Sequence, residues 1–570
     1  VSYPLSSGSQ NVKVIIKNSG NSTLTSMNVT VSLGGSNTST VLWTGTLGAC
    51  SVDTVTFSGS NQLTFVSGTN NLRAWVDAPN FTVDSNATND TISKTFCTPL
   101  AVGNYTIGVG GSFQTFNEVA NVLNCGGISG TGPTVFDVIS GTYNEQFLLG
   151  YIPGSSTINT ITFQSQAANA DSVTLSFNSG TSNNYVVKLA SASFVSFKNL
   201  KLQSLNSTNS IVIEYSGTIS NDTVTNCKII APVGASTSSS AALIFANGIS
   251  GKLNVFTNNT FTNGSYGMYF YGSSLTQSID SSFIDNNVFT NCYYMTIALS
   301  YTSNIKVRDN VINGSSFSSG YGIYFINSTN AFEILRNKIT AVGTSGIYMS
   351  SVNGTATLLG NIRNNTISGG YTSTYYGMYM SSCTYMNVFN NSVIGNSTGT
   401  STNYACYTQF TSSAGTTVVL RNNIFSNNAT GTAITVASLY VYNTLYLNSN
   451  YNNLHSASPN LVNVATPAIT HLNIYAWRNA STFEKNSISY KPGYTSNTNL
   501  VPNPLDSNAW AINGHGTFIA GNNTDILGFT EASSTTSIYV VAFDDGKVQG
   551  IENGGMAVRD LGELETKPAH

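Results

Sequence analysis

The sequence predicts an all-β protein: an N-terminal β-sandwich followed by a right-handed parallel β-helix capped by a short helix. Three observations predict it. A phrase reading polar-polar-Asn-x-apolar, with Cys227 filling one Asn slot, returns from Asn199 to Asn423 in eight steps averaging 28 residues. A fixed period in that range signals stacked repeats. The first 98 residues instead alternate apolar and polar in short runs, as half-buried strands do. Between the two lies one stretch with helical spacing of apolar residues.

Residues 1–98 are expected to form the sandwich, with strands at Val12-Lys13-Val14-Ile15-Ile16 and Met27-Asn28-Val29-Thr30-Val31 and a turn at Asn18-Ser19-Gly20-Asn21. The residues Lys17-Asn18-Ser19-Gly20, Trp75-Val76-Asp77, Asp84-Ser85-Asn86 and Asn89-Asp90 give this unit a pattern that resembles the bacterial cell-adhesion-related domain of the immunoglobulin-like type. Its Asp and Asn residues suit Asx turns, with calcium as the weaker alternative and no other cofactor expected. Residues 99–134 read as connector and cap. Thr115-Phe116-Asn117-Glu118 fits a capping box, and Phe116, Val119, Ala120 and Leu123 share one helical face. A lid of this kind would close the apolar end and open strand edges of the first coil.

The β-helix is assigned to 135–530, regular to about 455 and irregular beyond, with 531–570 left without a role. Three short strands per 28-residue turn would stack coils about 4.8 Å apart. Asn199, Asn259, Asn287, Asn310, Asn337, Asn365, Asn391 and Asn423 are predicted to form a ladder, with Cys227 filling one rung. An amide carries both donors and acceptors, so stacked copies can bond from coil to coil. Gly141-Thr142-Tyr143-Asn144-Glu145 looks like the first-coil signature of the pectin-lyase-like β-helix superfamily. Asn450-Tyr451-Asn452-Asn453, Tyr475-Ala476-Trp477-Arg478, Asn486-Ser487-Ile488-Ser489, Asn499-Leu500-Val501-Pro502 and, weakly, Arg559-Asp560-Leu561-Gly562 resemble the endings of secreted Bacteroidota β-helix proteins. That resemblance implies export, commonly by type IX secretion. Asp53-Thr54-Val55, Asp90-Thr91-Ile92, Asp171-Ser172-Val173 and Asp222-Thr223-Val224 look like the O-glycosylation motif of such proteins, which would place glycans on Thr54, Thr91, Ser172 and Thr223.

Composition narrows the function. Only 8% of the 570 residues are charged and the formal net charge is −3. With no clustered Lys/Arg, a nucleic-acid surface is excluded. No apolar run is long enough to span a membrane as a helix. Seven cysteines are too few for a disulfide scaffold at this length. Cys50 with Cys97 is the pairing expected in the sandwich, while Cys227, Cys292, Cys383 and Cys406 suit buried packing.

Two stripes are candidates for function. In Tyr321-Gly322-Ile323-Tyr324-Phe325, alternation puts Tyr321, Ile323 and Phe325 on one face and Gly322 and Tyr324 on the other. The same register would align Tyr269, Tyr324, Tyr348, Tyr379 and Tyr407 in an outward column interrupted by Thr296. Such a column either stiffens the sheet or offers rings and hydroxyls to a sugar polymer or a protein. The second stripe holds Arg308, Arg336, Arg363 and Arg421 with Asp285, Asp309, Glu333, Lys306 and Lys338. Lyases of the superfamily pair a basic residue with carboxylates that hold calcium against a uronate, but one charge per coil suits a solvated, ion-paired flank. Asn513-Gly514-His515-Gly516, Asn523-Thr524-Asp525 and Asp544-Asp545 resemble three polygalacturonase motifs in the wrong order and beyond the regular coils.

The sequence therefore points to an extracellular or cell-surface protein for adhesion or display, with a polysaccharide or cell-surface partner along the Tyr269–Tyr407 column. The alternatives are a polysaccharide lyase or glycoside hydrolase, and a structural subunit of a surface filament. The balance leans away from an enzyme, and the oligomeric state stays open.

Overall fold

The computed structural model describes residues 7–566 except 85, 315–319, 371–373, 398–400, 411–417, 430–434, 504, 513–514, 518, 520–547, 553–554 and 561–562. The chain divides into two compact units. The first comprises 1–139 with 147–163 and 192–195, and the second holds 140–146, 164–191 and 196–570. The boundary expected at 98 falls inside the first unit.

In the first unit, Asn37–Leu47, Leu24–Leu33, Gly68–Asp77 and Thr91–Thr98 form a four-stranded antiparallel sheet. Val12–Lys17 pairs with Val52–Phe57, and Gly8–Gln10 pairs with Leu63–Phe65. The alternating residues Val29, Val31, Phe57 and Leu63 are fully buried between the layers, which is the expected sandwich. Asn18 is buried in its turn, where Nδ2 donates to the carbonyls of Ser22 and Leu47 and Oδ1 accepts from the Gly20 N–H.

Helix α1 (Phe116–Gly126) starts as its sequence dictates: Thr115 accepts from the Glu118 N–H, and the Glu118 carboxylate accepts from the Gln114 N–H. Its buried face is Phe116, Val119, Ala120 and Leu123, and Phe116 packs on Phe147 and Phe163 at 5.3 and 6.1 Å. The disulfide joins Cys97 to Cys125, not to Cys50. Cys97 is the penultimate residue of the strand Thr91–Thr98 and stands 5.3 Å, Cα to Cα, from Cys125 in the last turn of α1, whereas Cys50 is exposed in a left-handed turn position and free.

Among the described residues, about twelve turns of right-handed β-solenoid carry three sheets of thirteen, twelve and sixteen strands. One coil shows the scheme: Lys306–Arg308 in the first sheet, Val311–Asn313 in the second and Tyr321–Thr329 in the third. Each strand pairs in parallel with its counterpart one coil on. Inward side chains stack like on like, as in Phe261 on Phe289 at 4.5 Å.

The corner between the first and second sheets explains the repeated phrase. Its first residue adopts φ near +55° in eight successive coils: Asn226, Asn258, Asn286, Asp309, Arg336, Asn364, Asn390 and Asn422 lie between 52° and 58°. Asn and Asp tolerate this left-handed conformation better than other side chains do. The second residue points inward as the rung. Asn310 donates from its backbone N–H and Nδ2 to Asn337 Oδ1, and Asn337 does the same to Asn365. The row runs through Asn259, Asn287, Asn310, Asn337, Asn365, Asn391 and Asn423.

Asn199 is a correction. It has φ +55° and belongs to the corner column, so Leu200 fills the rung before Cys227. In the first coils the row is apolar, and two adjacent polar letters concealed the offset. The row also extends one step further than expected, because Asn423 donates to Asn452 Oδ1. There it meets the buried carboxylate of Glu484, which accepts from Asn452, Ser449 and Ser487.

Past the last coil, helix α2 (Ile474–Ala480) buries Ile474 and Trp477, with Asn473 capping its N-terminus. Tyr494, Leu500 and Ile512 cover Ile394 and Ile424 on the outside of the second sheet. The strands Val548–Glu552, Gly555–Asp560 and Glu563–Thr566 form a small antiparallel sheet that includes Arg559 and Asp560. Among the described residues, no helix is long and apolar enough to cross a membrane.

Candidate functional site

The third sheet positions the tyrosines. Tyr324, Tyr348, Tyr379 and Tyr407 are directly paired from coil to coil, and Tyr440 continues the row. Phe245 and Tyr269 stand at its other end. Parallel in-register strands place identical side chains about 4.8 Å apart, close to the stacking distance of aromatic rings. The rings accordingly lie face to face: 4.9 Å and 8° for Tyr324–Tyr348, 4.5 Å and 1° for Tyr348–Tyr379, 4.7 Å and 8° for Tyr379–Tyr407, 4.3 Å and 1° for Tyr407–Tyr440.

Two details of the column differ from expectation. The interrupting residue is Ala298, which pairs with Tyr269 and Tyr324; Thr296 sits two places earlier and is buried. Tyr271 stacks on Tyr269 at 4.0 Å, and Ala298 is fully buried among the surrounding aromatics. Tyr321 also lies outside, against Tyr324 at 5.5 Å and Tyr348 at 5.8 Å, not inside with Ile323. Strict alternation fails at Gly322. A Cβ there would stand 2.7 Å from Ile339 Cγ2, and at Gly346 2.1 Å from Ile367 Cγ2, so this position also faces inward, next to the inward Ile. Two consecutive inward residues return both flanking tyrosines to the surface.

The result is a field two residues wide. Tyr266, Tyr321, Tyr376 and Tyr404 form a second row, broken at Ser345, and meet the first mainly edge to face at 5.2–5.9 Å; Tyr294, the residue before Met295 of that register, bridges Tyr266 and Tyr321. Burial, followed by the neighbouring phenols, pushes the Tyr321 hydroxyl up to about 12 and raises those of Tyr266, Tyr271, Tyr348 and Tyr407 as well. Burial likewise lifts Tyr404 to about 12, with Asn463 opposing by donating to its hydroxyl. No Asp, Glu, Lys or Arg contributes to any of these shifts. The field offers neutral hydroxyls and ring edges.

The charged stripe lies elsewhere, on the first sheet and its corner, except for Lys338, which opens a strand of the second sheet. Arg308 binds Asp285 through Nη2 at 2.6 Å and Nε at 3.2 Å, with Glu333 at 3.7 Å. Arg336 binds Asp309 through Nε at 2.6 Å and Nη2 at 2.8 Å. Lys306 and Arg308 both lie 5.6 Å from the Phe283 ring. These groups neutralise one another, which suits a structural flank. Asp84 accepts from the Asn86 N–H, and among the described residues no group of three or more His, Cys, Asp or Glu side chains gathers. Of the four modification candidates, Thr54 and Thr91 are exposed, while Ser172 and Thr223 are half-buried. Asn513, Gly514, Asn523, Thr524, Asp525, Asp544 and Asp545 lie outside the described residues; His515 packs on Trp510 at 5.3 Å.

The sequence model of the family described as Right handed beta helix region matches residues 237–362, and that of the CARDB family matches residues 2–94. No curated protein matches the chain. Among solved structures, it is similar to the pectin methylesterase of Aspergillus niger at 15% identity, covering 47% of this chain and 85% of that one, TM-score 0.30. It is also similar to the family 28 exopolygalacturonase of Yersinia enterocolitica at 10% identity, covering 81% and 97%, TM-score 0.30. The catalytic domain of a GH87 alpha-1,3-glucanase shows 10% identity over 87% and 94%, TM-score 0.29. Likenesses of this size carry nothing about chemistry.

Proposed function

We propose that the chain is an exported, extracellular or cell-surface protein that binds polysaccharide for adhesion or display and makes or breaks no bond itself. The observation that carries this reading is the tyrosine field: a rigid, uncharged, two-row surface of phenols on the outside of the third sheet. Tyrosine is favoured where an apolar body and a polar tip meet a ligand at low entropic cost. The charge distribution supports the same reading. From Lys338 to Arg478 the only fully charged side chains are Arg363 and Arg421, so that stretch holds no carboxylate to act as general acid, base or nucleophile. The Cys97–Cys125 disulfide supports an oxidising compartment.

Retention on immobilised polysaccharides tests it. The protein is expected to be retained, and Tyr324→Ala with Tyr348→Ala to release it. Retention unchanged by the double substitution would overturn the field as the site. Release of unsaturated ends from pectate, alginate or glycosaminoglycans with calcium present would overturn the non-catalytic reading.

A further inference from the structure

The stacking geometry also constrains what kind of polymer the field can take. A sugar that packs on an aromatic residue needs a free ring face. Here the faces of Tyr348, Tyr379 and Tyr407 are covered on both sides by neighbouring rings 4.3–4.9 Å away. That separation is van der Waals contact between rings and admits nothing between them. What remains accessible along the column is ring edge and hydroxyl, repeated once per coil. Phe245 to Tyr440 spans eight coils in register, a row about 34 Å long at the usual strand spacing. The positions two residues further along the strands are Ser300, Ile326, Ser350, Ser381 and Gln409, all uncharged. The Tyr407 hydroxyl donates to Gln409 Oε1 at 3.2 Å, so the phenol tips reach toward this polar row.

We propose that the field selects neutral, hydroxyl-rich polysaccharides in extended form, gripping them through phenol hydroxyls and ring edges, and rejects polyuronates. This rests on the reading of the tyrosine field as the recognition surface. A phenol donates one hydrogen bond and accepts others, which matches a sugar hydroxyl in either role. The raised ionisation of these phenols keeps the donor proton in place. A uronate carboxylate would lose water against the phenols at an uncompensated cost, since the charge that continues their row beyond Phe245, Glu214, is an anion already paired with Lys188 at 2.7 Å. Of the cations in these coils, Lys306, Arg308, Arg363 and Arg421 lie on the first sheet, Arg336 at its corner and Lys338 on the second sheet, while Lys252 ends the strand of Phe245 seven residues beyond that ring.

Affinity electrophoresis of the full chain through gels containing a soluble neutral glucan, xyloglucan or galactomannan, and separately polygalacturonate or alginate, tests the proposal. A neutral polymer is expected to retard the protein equally at low salt and at about 0.5 M salt, since uncharged contacts are not screened. Tyr348→Phe and Tyr379→Phe keep the stack and remove only the hydroxyls. Each is expected to weaken binding about fivefold, the worth of one net hydrogen bond. Arg363→Gln is expected to change nothing. Full binding by both Phe variants would overturn the hydroxyl grip, and so would preferential, salt-sensitive retardation by a polyuronate that Arg363→Gln abolishes. Retardation by neither class, with a protein captured instead through the tyrosines, would sink the underlying reading of the field as well.

Discussion

Replacing Asn337 by Leu removes one rung from the middle of the row while keeping the branching and the number of heavy atoms of the side chain. Asn337 is fully buried. Its Oδ1 accepts from the Asn310 N–H at 3.1 Å and from Asn310 Nδ2 at 2.9 Å; its Nδ2 donates to the Val307 carbonyl at 2.9 Å and to Asn365 Oδ1 at 3.0 Å. Leucine leaves two donors of Asn310 and the Val307 carbonyl without that partner, whereas Asn365 Oδ1 keeps the backbone N–H of residue 337 at 2.9 Å. At about 1–3 kcal/mol for each buried polar group stranded, the expected cost is about 5 kcal/mol. Asn259→Leu gives the internal comparison. There Oδ1 accepts from the Cys227 N–H and Nδ2 donates to the Val224 carbonyl, and the preceding rung is a thiol with no amide donor, so two groups are stranded instead of three and about two-thirds of the cost is expected. Because a solenoid need not unfold in one step, the measurement is hydrogen exchange of peptides from the coils around 307–340, read as local opening free energy. A loss below about 1.5 kcal/mol for Asn337→Leu, or one no larger than for Asn259→Leu, would refute the view that the amide row holds the coils together.

Four further outcomes are expected. Burial raises the Glu484 carboxyl, so its contribution to stability is complete below the unfolded carboxyl value and is lost as pH rises through the folded one; Glu484→Gln should flatten urea midpoints against pH and stabilise the neutral protein. His455, whose Nδ1 lies 2.9 Å from Ser426 Oγ, is pushed down to about 4 by burial, so stability present above pH 6.5 should fall by about 3 kcal/mol as pH drops to 4, and His455→Gln should remove that slope in the same titration. Cys97→Ser should cost about 3 kcal/mol for a 28-residue separation and lower the melting temperature of the first unit, whereas Cys50→Ser should leave it unchanged by calorimetry. Gly346→Ala forces a methyl to 2.1 Å from Ile367 Cγ2 and should destabilise its coil by about 1–3 kcal/mol in hydrogen exchange.

The winding of the chain was legible because two constraints repeat on every turn: a corner residue that accepts positive φ, and an inward amide that bonds its neighbours. Both favour Asn, so the pair stands out as a doubled letter. The same doubling hid the frame at Asn199, where the corner residue is Asn and the rung is Leu200. Asn452 was visible in the sequence, but its role depends on Glu484, which no spacing rule places over it. The tyrosine column followed from alternation around Tyr324. Alternation failed for Tyr321 because Gly322 and Ile323 both face inward, and it misplaced Thr296 because that coil carries Thr where its neighbours carry the Gly that marks the frame. Counting outward from the ladder does not recover the column either, because Tyr269 stands ten residues beyond Asn259 and Tyr440 seventeen beyond Asn423. The disulfide was not legible, since the partner of Cys97 is fixed by where helix α1 ends.

Successive rungs are not evenly spaced along the chain: 23 residues separate Asn287 from Asn310, and 32 separate Asn391 from Asn423, yet the amides meet at the same 3.0 Å. The slack is taken up by loops, which leaves the molecule insensitive to the length of any one circuit and sensitive only to the number of circuits. Duplicating a complete circuit would extend its reach by about 4.8 Å without disturbing anything already built. Duplicating part of one would break the row at that point. A lineage carrying this architecture can therefore tune how far it extends in whole increments, much as a ruler is lengthened by its own graduations.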